Sequence, residues 1–140
     1  MKNLKQYYKE LGKLVYAVAA ADGTIQQEER DILREMVVKE LAAREKNVDS
    51  SGMNKAFYVD FEFDALEETQ PALPALIQSF NHFVQRNTEP HDKDLLERSV
   101  RLLEKVAYAY THQKEKDILD VVKEQLHPYL QHSSSEISHL

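Results

Sequence analysis

The chain has 140 residues, 42% of them hydrophobic and 30% charged, with 18 basic against 24 acidic side chains and a net charge of −6. That length suits one domain with a substantial core, and the acidic balance disfavours general attraction to nucleic acid or anionic membranes. The absence of cysteine excludes disulfides, thiolate metal sites and a thiol nucleophile, while three Gly and four Pro leave long stretches free for helix.

Leu4, Tyr7, Tyr8, Leu11, Leu14, Val15 and Val18 recur at three- and four-residue steps and predict an amphipathic helix from about Asn3 to Ala21. Its apolar run carries Lys13 and ends at Asp22, too short for a membrane span and unlike a signal peptide. A cytoplasmic location is the expectation. Ala17, Ala19, Ala20 and Ala21 add little bulk, which allows another helix to pass close by.

The next helix is expected from about Gln26 to Lys46, burying Ile32, Leu33, Met36, Val37 and Leu41. On its wet side, Glu35 with Lys39 and Glu40 with Arg44 are favourable pairs four residues apart. Asn47 to Met53 is a polar break within a shared core. Over residues 54–68, Phe57, Val59, Phe61, Phe63 and Ala65 alternate like a strand, yet Phe57, Phe61 and Ala65 also fit one side of a helix. Helix is preferred because no second strand is present to pair with.

Pro71 and Pro74 open a helix that continues to about Asn87, and Thr88 to Pro90 make a turn. Leu95, Leu96, Val100, Leu103, Val106, Ala107 and Tyr110 define the next helix, and Thr111 to Gln113 a short turn. Ile118, Leu119, Val121, Val122, Leu126, Tyr129 and Leu130 line the last, with Pro128 disturbing its end. Residues 131–140 read as a flexible tail after a domain of residues 1–130. The fold class is therefore all-α, a bundle of about five to seven helices. Glu29-Arg30-Asp31-Ile32-Leu33 is echoed by Glu115-Lys116-Asp117-Ile118-Leu119, the trace expected of a duplicated helix pair.

The corner between the first two helices is the main candidate site. Asp22, Gly23 and Thr24 have the chemistry of a tight turn and helix cap, with Gln27 three residues after Thr24 and Glu28 and Glu29 in the first turn. Asp22, Gly23, Ile25 and Glu29 also match positions five, six, eight and twelve of a calcium-binding helix-loop-helix. Val18 and Ala20 stand where its first two oxygen ligands belong, so a complete site of that class is excluded. A looser site remains, combining Asp22, Glu28 and Asp31 with carboxylates from another helix; Glu28, Asp31 and Glu35 share one face, and a calcium or magnesium ion would relieve the repulsion of charges gathered this way.

These residues, Ala19-Ala20-Ala21-Asp22-Gly23, Ile25, Glu28-Glu29 and Ile32-Leu33, resemble the signature of the TerB-like domain of the tellurite-resistance TerB family. Asp60-Phe61-Glu62-Phe63-Asp64 resembles an acidic aromatic stretch in some relatives. The resemblance implies an all-helical fold with internal pseudo-symmetry, an acidic cluster that is a candidate metal site, and a role in chemical-stress or membrane-associated complexes. Carried onto this chain, the acidic positions are Asp22, Glu28 and Glu29. The second half departs from the pattern, with Thr111-His112-Gln113 in place of an Asp-Gly pair.

Elsewhere the chemistry is sparse. His91-Asp92-Lys93-Asp94 mixes potential ligands but reads as a capped helix start, and neither a zinc-protease His pattern nor a phosphate-cradling Gly-rich loop is present. Asp60, Asp64 and Glu68 offer an acidic face for docking, and the tyrosines are expected to pack their rings and reach water with their hydroxyls. Three functions follow: a non-enzymatic interaction or sensor domain with a protein partner and no organic cofactor, a metal-assisted hydrolase using clustered carboxylates, or a helical scaffold. A hydrolase needs a deep pocket with carboxylates at its base, whereas an interaction domain needs a shallow corner beside an exposed apolar or charged face.

Overall fold

A helix whose apolar residues nearly encircle it has to lie inside a protein, and the first helix, α1 (Leu4–Ala19), does so. Tyr7, Tyr8, Leu11, Leu14, Val15 and Val18 are fully buried. The computed structural model describes residues 1–21, 25, 27–110 and 119–130, with Glu28, Glu29 and Tyr110 in their backbone only. The turn at 22–24, the turn at 111–113, most of the second echo and the tail 131–140 lie outside the described residues.

Around α1 pack α3 (Tyr58–Thr69), α4 (Leu73–Asn87) and α5 (Lys93–Tyr110), while α2 (Gln27–Val37) leans on α5 and α3. A sixth helix, α6, covers 119–130 and buries Leu119, Val122 and Leu126. The result is an all-α bundle of six helices, with an isolated bridge between Val48 and Asn54 in place of any sheet among the described residues. No described helix is long and apolar enough to cross a membrane.

Gly12 sets a close approach between α1 and α3. A Cβ there would lie 2.7 Å from the main-chain oxygen of Val59 and 2.9 Å from the Glu62 Cβ, so α1 and α3 cross where one of them has no side chain. That crossing turns α3 so that Val59, Phe63 and Leu66 face inward, with the Phe63 ring edge-on to Tyr16 at 5.8 Å. The expected helix over this segment forms, but its expected apolar face is displaced. Phe61 is 47% exposed and Ala65 also faces solvent.

Other details depart from the sequence reading. α2 ends at Val37 and passes into a wider π-type turn, Val38–Ala42, instead of continuing to Lys46. Glu40 pairs with Lys105, and with Arg101 at 3.6 Å, both on α5, rather than with Arg44. The Lys105 hydrogen bond outweighs partial burial and holds the Glu40 carboxyl below its ordinary range. Pro128 does not break α6, which runs through it to residue 130, the last described position.

The polar break is a structured connection. Asp49 accepts from the amides of Ser51 and Met53 and the hydroxyls of Ser51 and Tyr58, contacts that hold its carboxyl well below the usual range. Gly52 takes the positive φ of 85° that this turn requires. Asn54 accepts from the Ala56 amide and donates to the main-chain oxygens of Ala42 and Glu45, tying the end of the π-type turn to the start of α3.

Candidate functional site

Of the acidic-corner residues, Asp22 lies outside the described residues, and Glu28 and Glu29 occupy the first turn of α2. Asp31, one turn further on, is exposed and accepts a long 3.4 Å bond from the Gln27 side chain. Its carboxylate is thus available at the surface. Beside the corner lies a cavity of about 600 Å³ lined by Tyr16, Ala20, Ile25, Arg30, Glu67 and Leu73. Glu67 is not a free base there, because Arg30 donates to it and also to Gln27 at 3.2 Å.

On the outer side of α2, Asp31, Arg34, Glu35, Val38 and Lys39 line a shallow concavity of about 340 Å³. Its surface is mostly apolar, from Val38 and the hydrocarbon stems of the charged side chains around it. Ile32 and Val38 are 44% and 43% exposed on this helix and the turn that extends it, so Ile32 does not join the buried stripe with Leu33 and Val37. The helical period allowed Ile32 in either face, and Leu33 with Val37 and Leu41 supplies the inward one.

The three α3 residues expected to form an acidic docking face, Asp60, Asp64 and Glu68, are not equivalent. Asp64 and Glu68 are exposed, but Asp60 is buried against α2, where the Arg34 guanidinium approaches it at 3.9 Å and Asp64 at 3.7 Å. Burial pushes the Asp60 carboxyl from 3.8 up to about 6, with Arg34 opposing the rise and Asp64 adding to it. Because the folded-state value lies above the unfolded one, the native state holds this proton more tightly. Stability from this group is therefore greatest in acid and falls as pH rises from about 4 through about 6. Asp60→Asn is expected to flatten that dependence and to stabilise the protein by ~1–3 kcal/mol at neutral pH, measured by urea unfolding across the range.

A second ligand cluster, formed by residues close together in the sequence, occurs where α1 starts beside α5. Ligand atoms of Glu89, His91 and Asp92 lie within 4.8 Å of one another. Glu89 and Asp92 form a reciprocal capping box around the short turn Pro90–Asp92, the expected capped helix start. The same carboxylates hold the Met1 ammonium at 3.0 and 2.8 Å, so a metal ion there would have to displace it. An imidazole with two carboxylates suits zinc or a similar transition metal, whereas the oxygen-only donors of the α2 corner suit calcium or magnesium.

The tyrosines also depart from expectation. Tyr7 and Tyr8 are fully buried, and neither hydroxyl reaches water. Tyr7 bonds Ser99 at 2.6 Å, Ser99 donates onward to the Leu95 main-chain oxygen, and Tyr8 donates to Glu45. Burial raises both phenols above their ordinary range. Beneath α4, Glu10 is likewise buried and satisfied by Lys13 at 2.9 Å and Ser79 at 2.8 Å.

Compared with protein-family models, with curated proteins and with solved structures, the chain matches none of them. The family resemblance accordingly rests on the residues between Val15 and Leu33 and on helical spacing.

Proposed function

We propose that this chain is a non-enzymatic interaction or sensor domain of a chemical-stress response, similar in role to the TerB-like domain. It takes calcium or magnesium at the acidic corner through Asp22, Glu28, Glu29 and Asp31, and engages a protein partner, in a complex that includes a membrane-associated component, over the adjoining face of α2. The observation that carries this reading is the position of Asp31, exposed on the rim of a shallow apolar concavity whose neighbours Ile32 and Val38 are half-exposed. A cation at the rim would neutralise carboxylates around an apolar contact surface and so favour docking. A hydrolase is less supported, since of the two carboxylates lining the adjacent cavity Glu67 is committed to Arg30 and Glu68 is exposed to solvent.

Replacing Ile32 and Val38 together with serine tests the surface. Both side chains are about half in water, so the thermal midpoint is expected to move by no more than a few degrees while partner binding falls at least ~10-fold. Unfolding of the double variant would assign the two residues to the core. Unchanged partner affinity would place the interface elsewhere.

A further inference from the structure

Lys13, Lys93, Lys105 and Lys123 each pair with a glutamate. Lys5 and Lys9 do not. One turn apart on α1, their ammonium groups lie 4.7 and 5.7 Å from the centre of the same ring, that of Tyr58 at the start of α3. An aromatic face attracts a cation, but two like charges brought to one ring repel each other, and neither has a carboxylate partner among the described residues. On a chain with a net charge of −6, this is an uncompensated basic area of surface.

The ring between the lysines is fixed. Its hydroxyl donates to Asp49 at 2.6 Å, which orients the ring and, by polarising the phenol, makes its face more attractive to cations. Asp49 itself is taken up by Ser51, Met53 and Tyr58 and forms no ion pair with either lysine. Phe61 stands edge-on to Tyr58 at 5.6 Å with about half its surface in water, and the turn that Asp49 organises carries the exposed Val48 and Met53. Lys5 and Lys9 also line, with Asn3 and Gln6, an open depression of about 480 Å³ on α1. Unpaired cations and uncovered apolar side chains are therefore neighbours here, all of them accessible.

We propose that this patch docks an acidic segment of a protein partner, with carboxylates on Lys5 and Lys9 and an apolar side chain against Phe61 and Tyr58. The surface shares no residue with the α2 concavity, and docking on it needs no cation. A narrow chain fits better than an anionic bilayer. Asp64 and Glu68 are exposed one and two turns beyond Phe61 on α3, so a plane of lipid phosphates laid over Phe61 would meet carboxylates that a peptide avoids. A free phosphate would leave the aromatic side of the patch uncovered.

The test uses the full chain at low ionic strength with a short fluorescein-labelled peptide of Glu, Asp and Leu, its counterpart with Gln and Asn, and phosphatidylcholine vesicles with and without phosphatidylserine. Anisotropy is expected to show saturable binding of the acidic peptide that weakens steeply with added salt, and none of the neutral one. Lys5→Gln combined with Lys9→Gln is expected to weaken binding about ten-fold or more and Phe61→Ser several-fold. Both lysines reach solvent, so the double variant keeps the fold, which circular dichroism checks. Lys105→Gln combined with Lys123→Gln makes the same change in net charge elsewhere and is expected to leave the affinity within about two-fold. Equal losses in the two double variants would reduce the effect to net charge and overturn the site. Unchanged affinity in Lys5→Gln with Lys9→Gln, tighter binding to phosphatidylserine vesicles than to the peptide, or no saturable binding of the peptide would also overturn it.

Discussion

Gly12→Leu is expected to abolish the native bundle, and Gly12→Ala to destabilise it by ~1–2 kcal/mol in urea unfolding. In an ordinary helix interior the alanine change would gain up to ~1 kcal/mol from propensity. Here the new methyl would meet the Val59 main-chain oxygen at 2.7 Å and the Glu62 Cβ at 2.9 Å. The Glu62 side chain can shift, but a main-chain oxygen moves only if α3 moves, and overpacking of this kind typically costs ~1–3 kcal/mol for small additions and more for large ones. Since α3 places Phe63 against Tyr16 and Asp60 against Arg34, the displacement would also loosen both contacts. A stabilised Gly12→Ala protein would mean that α1 and α3 do not cross as closely as described.

Asp92→Ala is expected to cost about 3 kcal/mol, because one buried carboxylate performs two tasks. Its Oδ1 holds the Met1 ammonium at 2.8 Å and its Oδ2 accepts the Glu89 amide at 2.7 Å. Removing it leaves a buried ammonium with Glu89 alone and opens the cap at the start of α5. Asp92→Asn, which keeps an acceptor and loses the charge, should fall between the alanine variant and the parent. His91→Ala, at a side chain 72% exposed, should change stability by less than ~0.5 kcal/mol. Burial lowers the affinity of the Met1 amine for its proton, but hydrogen bonds and charge from Asp92 and Glu89 outweigh this and raise it above 8.0. The stability carried by this pair is therefore full below pH 8 and is lost as pH rises through the folded-state value, a loss that Asp92→Ala should diminish.

Much of the bundle was legible because helix periodicity is a local property. The stripe from Leu4 to Val18 announced a buried helix, and Pro71 with Pro74 announced the start of α4. On α3 two stripes had the correct spacing, and the choice between them depended on Gly12, a residue on another helix. The same limit explains Glu40, whose local partner Arg44 loses to Lys105, and Tyr8, whose hydroxyl finds Glu45 and not water. In each case a long-range contact overrode a pattern that was sound along the chain.

The candidate sites divide in the same way. The exposure of Asp31 and the neighbouring charges of α2 follow from a sequence rich in Glu, Arg and Asp. That Asp60 turns inward beneath Arg34 does not, because Asp60, Asp64 and Glu68 share one helical face and differ only in what lies opposite. Glu89 was present in the sequence as the first member of a capping box before His91-Asp92, and that spacing was its one local signal. The Met1 amine carried none, being brought to that end of the bundle by the fold.

The central claim, a divalent cation at the acidic corner of an interaction domain, is tested most directly by isothermal titration calorimetry of metal-free protein with calcium, magnesium, manganese and zinc, alongside Asp22→Ala. Saturable binding of calcium or magnesium in the micromolar to millimolar range, lost in Asp22→Ala, is the result predicted by an oxygen-only donor set. No heat in either protein across that range, or binding of equal strength in both, would contradict it and leave the corner as a device for joining two helices.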